Sequence, residues 1–456
     1  MYGSRVGRCL FVLCAEVGNC EGVPMSTNLD NINKNGVPLQ EQKSPLFLLI
    51  LSKFWILEKV CNFLICRINN KELRMRLYKL ELYKICCRKS FIAGAVCTMG
   101  ILLLFFLIKI ADERSYVDGI RYEGFQAVQM NRRITKEYQG VLTDEKVKSI
   151  VEKYGFPGKV DEKTGYRDGN YLNEFVEFYL SDGYCYNWDD YKLATRVYPI
   201  ADTDLGEAAR LTGKDIVLEY PDGWNTFLEV LQVALLIGGI LVLIGISPVF
   251  ANERQTKMLQ LLFTSKDGVK KNICAKIAAA FTVGFCVWFV IVVMDLLLCG
   301  MVYGFSGLNC LVGIIRIGGL NTYVPITMLS IGSYTAVLLL RTLQGIMLLC
   351  AVTLCISAFL KSTFSSIVAS MICFGMPVLM FILFSSFYNL LGRIIVSLMY
   401  ALPVYSSPIY SILYPMNDCW SLRGVYVFMV MSAAEFVLFL AIAYRAERRW
   451  IRNGVI

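Results

Sequence analysis

Six long apolar runs divide the chain, and each approaches the length that a helix needs to cross a lipid bilayer. A helix rises about 1.5 Å per residue, so a hydrocarbon core about 30 Å thick requires roughly 20 apolar residues. The runs occupy residues 91–110, 227–250, 278–303, 335–359, 364–388 and 424–444. Each is too long for a buried strand and too uniformly apolar for a surface helix. The pattern predicts an all-α polytopic membrane protein with six transmembrane helices.

The polar interval 111–226, between the first and second runs, has the pattern of a folded α+β domain. Thr143 can cap a helix over 144–154, in which apolar residues recur at i, i+3, i+4 and i+7. Further helices are predicted over 171–180 and 205–211, and a strand over 216–220. Only one cysteine, Cys185, lies in this interval, so no internal disulfide is expected.

Basic residues are dense beside some apolar runs and almost absent beside others. They are frequent in 53–90, 251–277 and 445–456, whereas 304–334 and 389–423 contain three in total. Lys and Arg mark the cytoplasmic side of membrane proteins. Both termini, the 251–277 loop, the 360–363 turn and the 445–456 tail are therefore predicted to be cytoplasmic.

This orientation makes 111–226 an extracytoplasmic domain, and the charge distribution agrees with it. The interval holds 22 acidic and 15 basic residues, a net charge of −7, whereas the rest of the chain carries +16. An anionic lipid headgroup layer accounts for this basic excess better than nucleic acid does. The bilayer is therefore an expected partner and nucleic acid is not.

The amino-acid composition supports the assignment as a membrane protein and excludes several kinds of catalytic and metal site. The chain is 56% hydrophobic and 18% charged, against about 45–50% and 25% in soluble domains. It has no histidine, which excludes His-ligated metals and Ser-His-Asp catalysis. Its 17 cysteines form no CxxC motif and stand mostly in apolar runs. We predict neither a catalytic residue nor a metal site.

Residues 1–75 are interpreted as an N-terminal cytoplasmic extension, of which residues 1–45 show no sustained period. Residues 46–66 are apolar but contain three charges, which favours an interfacial helix over a spanning one. Residues 76–90 form a basic amphipathic lead-in to the first span, as a native terminus would. Met75 is therefore a possible true start, with the preceding residues an extended gene prediction or an optional leader.

The loop 251–277, between the second and third spans, carries the most informative pattern. Glu253 stands just beyond the second apolar run, and Lys276 precedes the third. An apolar patch lies between them: Met258, Leu259, Leu261, Leu262 and Phe263. A short amphipathic helix held between two spans can transmit movement from a soluble partner into the membrane. We interpret Glu253 and the apolar patch as a coupling site.

This arrangement resembles the loop between the second and third spans of ABC-2 type exporter permeases. In that family a Glu begins a coupling helix, followed by a leucine pair, a small polar turn and a Lys before span three. The matching positions are Glu253, Leu261-Leu262, Thr264-Ser265 and Lys276. Residues 76–90 are similar to the family's interface helix, and 402–415 to its outer re-entrant segment. The chain departs at Thr256-Lys257, where the family often has Gly, and in its larger outer domain.

The resemblance implies a transport subunit of the cell membrane rather than an enzyme. Glu253 and the apolar patch would contact a separate ABC ATPase, which would bind the ATP and Mg²⁺. Consistent with that division, the chain contains no GxxxxGK[ST] phosphate loop and would hold no cofactor itself. The family also implies a second permease copy or a sister permease, and efflux of an amphipathic or peptide-like substrate.

Asp295, Arg341 and Glu435 lie well inside the predicted spans, away from the span ends, and are functional candidates for that reason. Asp295 and Arg341 lie about 12 and about 9 Å below the outer surface at 1.5 Å per residue. An ion pair between them is one interpretation, and Glu435 is an alternative partner of Arg341. In another, Arg341 snorkels outward and Asp295 makes a packing hydrogen bond.

Three other functions remain alternatives to the exporter. A mechanotransmitting ABC permease without a translocation path is opposed by six spans rather than four. A membrane-embedded lipid-modifying enzyme is opposed by the missing histidine and the lack of clustered intramembrane carboxylates. An ion-coupled carrier is opposed by the lack of visible inverted repeats.

Overall fold

The computed structural model of the chain is mostly helical and describes six stretches: 71–163, 167–185, 191–256, 268–311, 330–384 and 422–453. The helices are α1 (Lys71–Cys86), α2 (Lys89–Ala111), α3 (Phe125–Tyr138), α4 (Asp144–Tyr154), α5 (Tyr171–Leu180), α6 (Asp204–Thr212), α7 (Asp222–Ile246), α8 (Pro248–Gln255), α9 (Gly268–Val302), α10 (Ile331–Phe359), α11 (Thr363–Phe384) and α12 (Leu422–Asn453). The strands are β1 (Arg114–Val117), β2 (Ile120–Glu123), β3 (Gly140–Val141), β4 (Tyr184–Cys185), β5 (Tyr191–Lys192) and β6 (Val217–Leu218). A 3₁₀ turn covers Ile200–Asp202.

Four of the described helices are long and apolar enough to cross a membrane. They are Lys89–Ala111, Asp222–Gln255, Lys270–Val302 and Ile331–Phe359, which correspond to the first four predicted spans. The fifth predicted span falls on α11, where a shorter apolar stretch covers Thr363–Gly375, and the sixth lies within α12. The structure therefore confirms a mostly helical chain, and four of the described helices are long and apolar enough to span a membrane.

The second spanning helix, Asp222–Gln255, consists of α7 and α8, which are separated only by Ser247. Pro248 is tolerated as the first residue of α8 because a first-turn N–H has no partner within its own helix. The Ser247 hydroxyl donates to the Leu243 carbonyl at 2.6 Å. Glu253 thus lies near the end of a helix that continues the span. Glu253 therefore lies inside α8 and is not the first residue of a helix, whereas residues 257–267, which would continue the expected coupling helix, lie outside the described residues.

Helix α7 is the central helix of the bundle and packs against α2, α9 and α10. Small residues allow the closest approaches. A Cβ added at Gly238 would lie 2.4 Å from Cδ1 of Ile291 on α9. On α9 itself, a Cβ at Gly284 would lie 2.4 Å from Sγ of Cys350 on α10. Such contacts bring helices close enough for dispersion forces to hold them together in lipid.

Residues 112–221, between α2 and α7, form a small α+β unit that we call the inter-span domain. Helices α4 and α5 have the bounds that the apolar periods predict, and α6 extends the predicted third helix by one residue at each end. Strand β6 is shorter than predicted. The β1–β2 hairpin was not predicted, although Asp118-Gly119, with both φ angles positive, is a strong hairpin signal.

The first-turn N–H groups of these helices have side-chain acceptors. Thr143 caps α4 by accepting from the Lys146 amide, and Asn170 caps α5 through the amides of Leu172 and Asn173. Arg167 is fixed to α5 by a buried ion pair, in which its guanidinium donates to both carboxylate oxygens of Glu177, at 2.5 and 2.7 Å. The domain therefore has a defined core.

The predicted interface segment 76–90 is not one helix. Helix α1 ends at Cys86, Cys87 and Arg88 form a turn, and α2 begins at Lys89. Several predictions lie outside the described residues: the interfacial helix over 46–66, the apolar patch at 258–263, the end of the fifth span, and the re-entrant segment 402–415.

Candidate functional site

Glu253 and Lys276, which stand near opposite ends of the 251–277 loop, form a salt bridge in the structure. Lys276 is 2% exposed, so its ammonium depends on protein partners rather than water. Its Nζ also donates to the Val249 carbonyl at 3.1 Å and lies 3.7 Å from a Glu81 carboxylate oxygen. One buried cation thus joins α8, α9 and α1.

A second buried ion pair continues the network from the next residue. Arg254 forms a salt bridge with Glu447 on α12, and the two side chains are 5% and 2% exposed. Arg254 also donates to the carbonyls of Ser357 at 2.8 Å and Leu360 at 2.6 Å, at the end of α10. Burial raises the pKa of Glu447, and the Arg254 guanidinium acts against that rise. We call Glu81, Glu253, Arg254, Lys276 and Glu447 the α8 charge network.

Uncharged hydrogen bonds hold the start of α8. The amides of Phe250 and Ala251 donate to the hydroxyl of Ser357, at 3.1 and 3.2 Å. That hydroxyl and the hydroxyl of Ser366 both donate to the Ser247 carbonyl, at 2.6 and 2.8 Å. Side chains from α10 and α11 therefore satisfy polar backbone groups at the α7–α8 junction. Any displacement of α8 must move these helices or break several buried polar contacts.

Sequence analysis found part of this network and missed the rest. Glu253 was predicted as a coupling residue and Lys276 as a matching position, but their mutual contact was not predicted. Arg254, Glu81 and Glu447 were missed, although Arg254 and Glu447 stand close to span ends, where an unpaired charge would be costly. The apolar patch Met258, Leu259, Leu261, Leu262 and Phe263 lies outside the described residues.

Asp295, Arg341 and Glu435 lie on three different helices, α9, α10 and α12. Asp295 on α9 is fully buried, and its carboxylate accepts one hydrogen bond, from Sγ of Cys299 at 3.6 Å. Arg341 on α10 is 5% exposed and donates to Oε1 of Gln344 at 3.4 Å. Within the described residues, no salt bridge joins Asp295 to Arg341. Glu435 is half-buried on α12, the helix that packs along α10.

The other end of the bundle contacts the inter-span domain. Tyr303, just after α9, donates to the Glu113 carboxylate at 2.9 Å. Trp224 donates to the Ser306 carbonyl at 3.0 Å, and a Glu219 carboxylate accepts from the Gly307 amide. We call these contacts the domain junction.

One group of the domain junction has an unusual pKa. Burial, with repulsion from Asp222 as the next cause, raises the pKa of Glu113 to about 8, although the hydrogen bond from Tyr303 acts in the other direction. The Glu113 carboxyl group is therefore mostly protonated at neutral pH, and the junction is less charged than its composition suggests.

The comparisons with known proteins add no relative. No family model matches the chain, and no curated protein or solved structure matches it. Among the described residues, no cluster of three or more acidic or cysteine side chains is placed to hold a metal ion. A functional interpretation therefore depends on the α8 charge network, on the domain junction and on the pattern of the chain itself.

Proposed function

We propose that this chain is the membrane-spanning permease subunit of an ATP-driven ABC exporter of the ABC-2 type. The observation that carries the proposal is the salt bridge between Glu253 and Lys276. The two positions were selected from the loop pattern alone, as the start and the end of a coupling loop. Their contact is what a segment that transmits movement between two spans requires.

In this proposal α8 is the element that transmits movement. A separate ATPase subunit, which binds ATP and Mg²⁺, docks on the apolar patch 258–263 next to α8, and the buried Glu253 passes the movement of α8 to Lys276. Breaking a buried ion pair by removing one partner costs about 3–5 kcal/mol. Moving α8 away from Lys276 and Glu447 would carry a comparable penalty. A push on α8 is therefore expected to move α9, α10 and α12 with it.

The proposed topology places the α8 charge network in the cytoplasm and the inter-span domain outside. Both termini are cytoplasmic, and α11 and α12 contribute the fifth and sixth spans in the plasma membrane. A second copy of the chain or a sister permease completes the working unit. The substrate is an amphipathic or peptide-like molecule, which is the class that the resemblance implies.

Affinity purification of the tagged full-length chain from its native membranes tests the ATPase partner. We expect a P-loop ATPase to be retained and the complex to hydrolyse ATP. Glu253→Gln should lower that hydrolysis or release the ATPase, because it removes the charge that pairs with Lys276. The control is Glu152→Gln on α4, an exposed carboxylate of the inter-span domain. Retention of no P-loop ATPase, even after cross-linking, would refute the proposal.

One observation favours a second candidate, a mechanotransmitting ABC permease without a translocation path. Four described helices are long and apolar enough to span a membrane, and the domain junction holds the end of the third, α9, against the inter-span domain through Tyr303 and Glu113. An epitope inserted near residue 408 distinguishes the two functions. Six spans with cytoplasmic termini expose this epitope on the outside of intact cells. If antibody reaches it only after permeabilisation, the six-span exporter is excluded and the four-span candidate is favoured.

A further inference from the structure

Helix α1 has one face against the bundle and one face away from it. On the bundle face, the Tyr78 hydroxyl donates to Oγ1 of Thr282 at 2.9 Å, and Glu81 lies beside Lys276. The exposed residues recur at helical spacing: Arg76, Lys79, Leu80, Tyr83, Lys84 and Cys87. Basic and apolar side chains are therefore mixed on the exposed face. The sequence predicted an amphipathic helix over 76–90 with separate basic and apolar faces, and the structure does not show this separation.

The mixture is suited to the boundary between lipid headgroups and acyl chains. Leu80 is 57% exposed and Tyr83 is 66% exposed, which would be unfavourable in plain water. At a bilayer surface such side chains insert below the headgroups, while Lys and Arg extend to the phosphates. The basic residues Arg76, Lys79 and Lys84 flank these two apolar residues along the helix.

Arg88 supplies an independent observation at the turn between α1 and α2. Its side chain is half-buried, and the Nη1 atom is itself enclosed by protein and has no hydrogen-bond partner within the described residues, so this donor lacks the acceptor that a phosphate oxygen would supply. The first spanning helix begins at the next residue, Lys89, so Arg88 lies at the depth of the headgroups. A guanidinium donor at that depth matches the oxygen acceptors of a phosphate.

We propose that the exposed face of α1, together with Arg88, binds the headgroups of anionic phospholipids. The inference depends on the chain being embedded in a bilayer and goes beyond the exporter function, because it requires no ATPase partner. Charge complementarity and continuity with the first span select anionic lipid as the occupant.

The bound lipid would reach the α8 charge network through one side chain. Lys84 donates to Oε1 of Glu81 at 2.6 Å, and Oε2 of Glu81 lies 3.7 Å from Lys276, the partner of Glu253. When a phosphate draws the Lys84 ammonium outward, Glu81 loses its salt bridge with Lys84 and interacts with Lys276 only. Lipid occupancy thus changes the electrostatic surroundings of Glu253 without a contact to α8.

The test measures phosphatidylglycerol retained by the full-length chain after gel filtration in detergent, with phosphatidylcholine as the comparison lipid. The triple variant R76Q/K79Q/K84Q should bind phosphatidylglycerol on the order of a hundredfold more weakly, since each basic residue near an anionic surface contributes about 1 kcal/mol. Arg88→Gln alone should weaken binding roughly fivefold by the same measure. Phosphatidylcholine binding should not change.

The matched control is R133Q/K136Q/K148Q, which removes three exposed charges from the inter-span domain. It should bind phosphatidylglycerol as the native chain does. If the α1 triple variant does not fold, a salt titration of the native chain decides, because headgroup binding by exposed charges must weaken as salt rises. The proposal would be overturned if the α1 triple variant retained as much phosphatidylglycerol as the native chain. The same holds if the control variant lost as much binding as the α1 variant, or if binding did not depend on salt.

Discussion

The two ends of the helix bundle are held together by different chemistry. At the α8 end, buried Arg and Lys side chains pair with carboxylates from other helices. At the domain end, tyrosine, tryptophan and a backbone amide donate hydrogen bonds to carboxyl and carbonyl oxygens, and a glycine permits close packing. Buried ion pairs resist separation because an unpaired charge in the protein interior has a large free-energy cost. We infer that the α8 end moves as one unit, whereas the domain junction separates more easily.

The largest expected effect comes from removing one half of the Arg254–Glu447 pair. Arg254→Met leaves the 2% exposed Glu447 without its guanidinium, so the free energy of unfolding should fall by about 3–5 kcal/mol. The measurement is chemical unfolding of the purified chain in detergent.

A matched control and a double variant complete that experiment. Arg133→Met removes an exposed arginine of the inter-span domain and should change stability little. In R254M/E447M no unpaired carboxylate remains, so part of the lost stability should return. If the stability losses of Arg254→Met and Glu447→Met add up to the loss of the double variant, the two side chains do not stabilise the fold as a pair.

At the domain junction we expect a smaller effect from steric crowding. A Cβ at Gly223 would lie 2.6 Å from Cβ of Tyr303, so Gly223→Ala should destabilise the chain by about 1–3 kcal/mol. Gly100→Ala on α2 is the control, because nothing lies within 4 Å of its added Cβ. That change should be neutral or stabilising, since glycine is unfavourable within a helix. Equal melting temperatures for both variants would contradict the close contact.

The domain junction should also respond to pH through Glu113. Its pKa is raised to about 8 in the folded chain, so the folded state keeps a proton that the unfolded state releases above its ordinary pKa near 4.5. This contribution to stability is complete below pH of about 4.5 and is lost as pH rises to about 8. Glu113→Gln should therefore flatten the fall in melting temperature across that window.

The pH experiment has its own control in Glu152→Gln, which changes an exposed carboxylate of the inter-span domain. This variant should leave the slope of melting temperature against pH as it is in the native chain. A slope that stays the same in Glu113→Gln would show that other groups carry the pH dependence.

The smallest effect is expected for an exposed ion pair on the inter-span domain, far from both bundle ends. Lys153 and Glu137 lie 2.6 Å apart, but their side chains are 46% and 50% exposed. Solvent screens such a pair, so Lys153→Gln should change the free energy of unfolding by less than about 1 kcal/mol. A larger loss would mean that exposed charges matter here as much as buried ones.

Local patterns predicted the elements that depend on neighbouring residues. The cap at Thr143 and the period that follows it gave helix α4 its correct ends, because these signals act within one turn. Hydropathy located the first four spans for a similar reason. Pro248, by contrast, did not mark the end of a helix, since Ser357 and Ser366 from other helices support the α7–α8 junction.

Asp295 and Arg341 show that equal depth along two helices does not predict a contact between two charged side chains. Asp295 and Arg341 have similar predicted depths, yet they do not pair. Thr342 accepts a hydrogen bond from Trp288 at 3.1 Å, so Thr342 lies on the face of α10 that is turned toward α9. Arg341 is the adjacent residue and is turned by about 100° around the helix. Sequence spacing sets the height of a side chain, but its direction depends on how the helices pack.

By itself, the sequence determined that this chain is helical and enters the membrane, because twenty apolar residues in succession have few other stable environments. It also identified Glu253 and Lys276 as charges beside span ends. Only the tertiary structure decided their partners. Glu447 is 193 positions from Arg254, and a contact over that separation depends on the packing of α8, α10 and α12 together. Buried charges must be compensated, but the fold decides which residue compensates them.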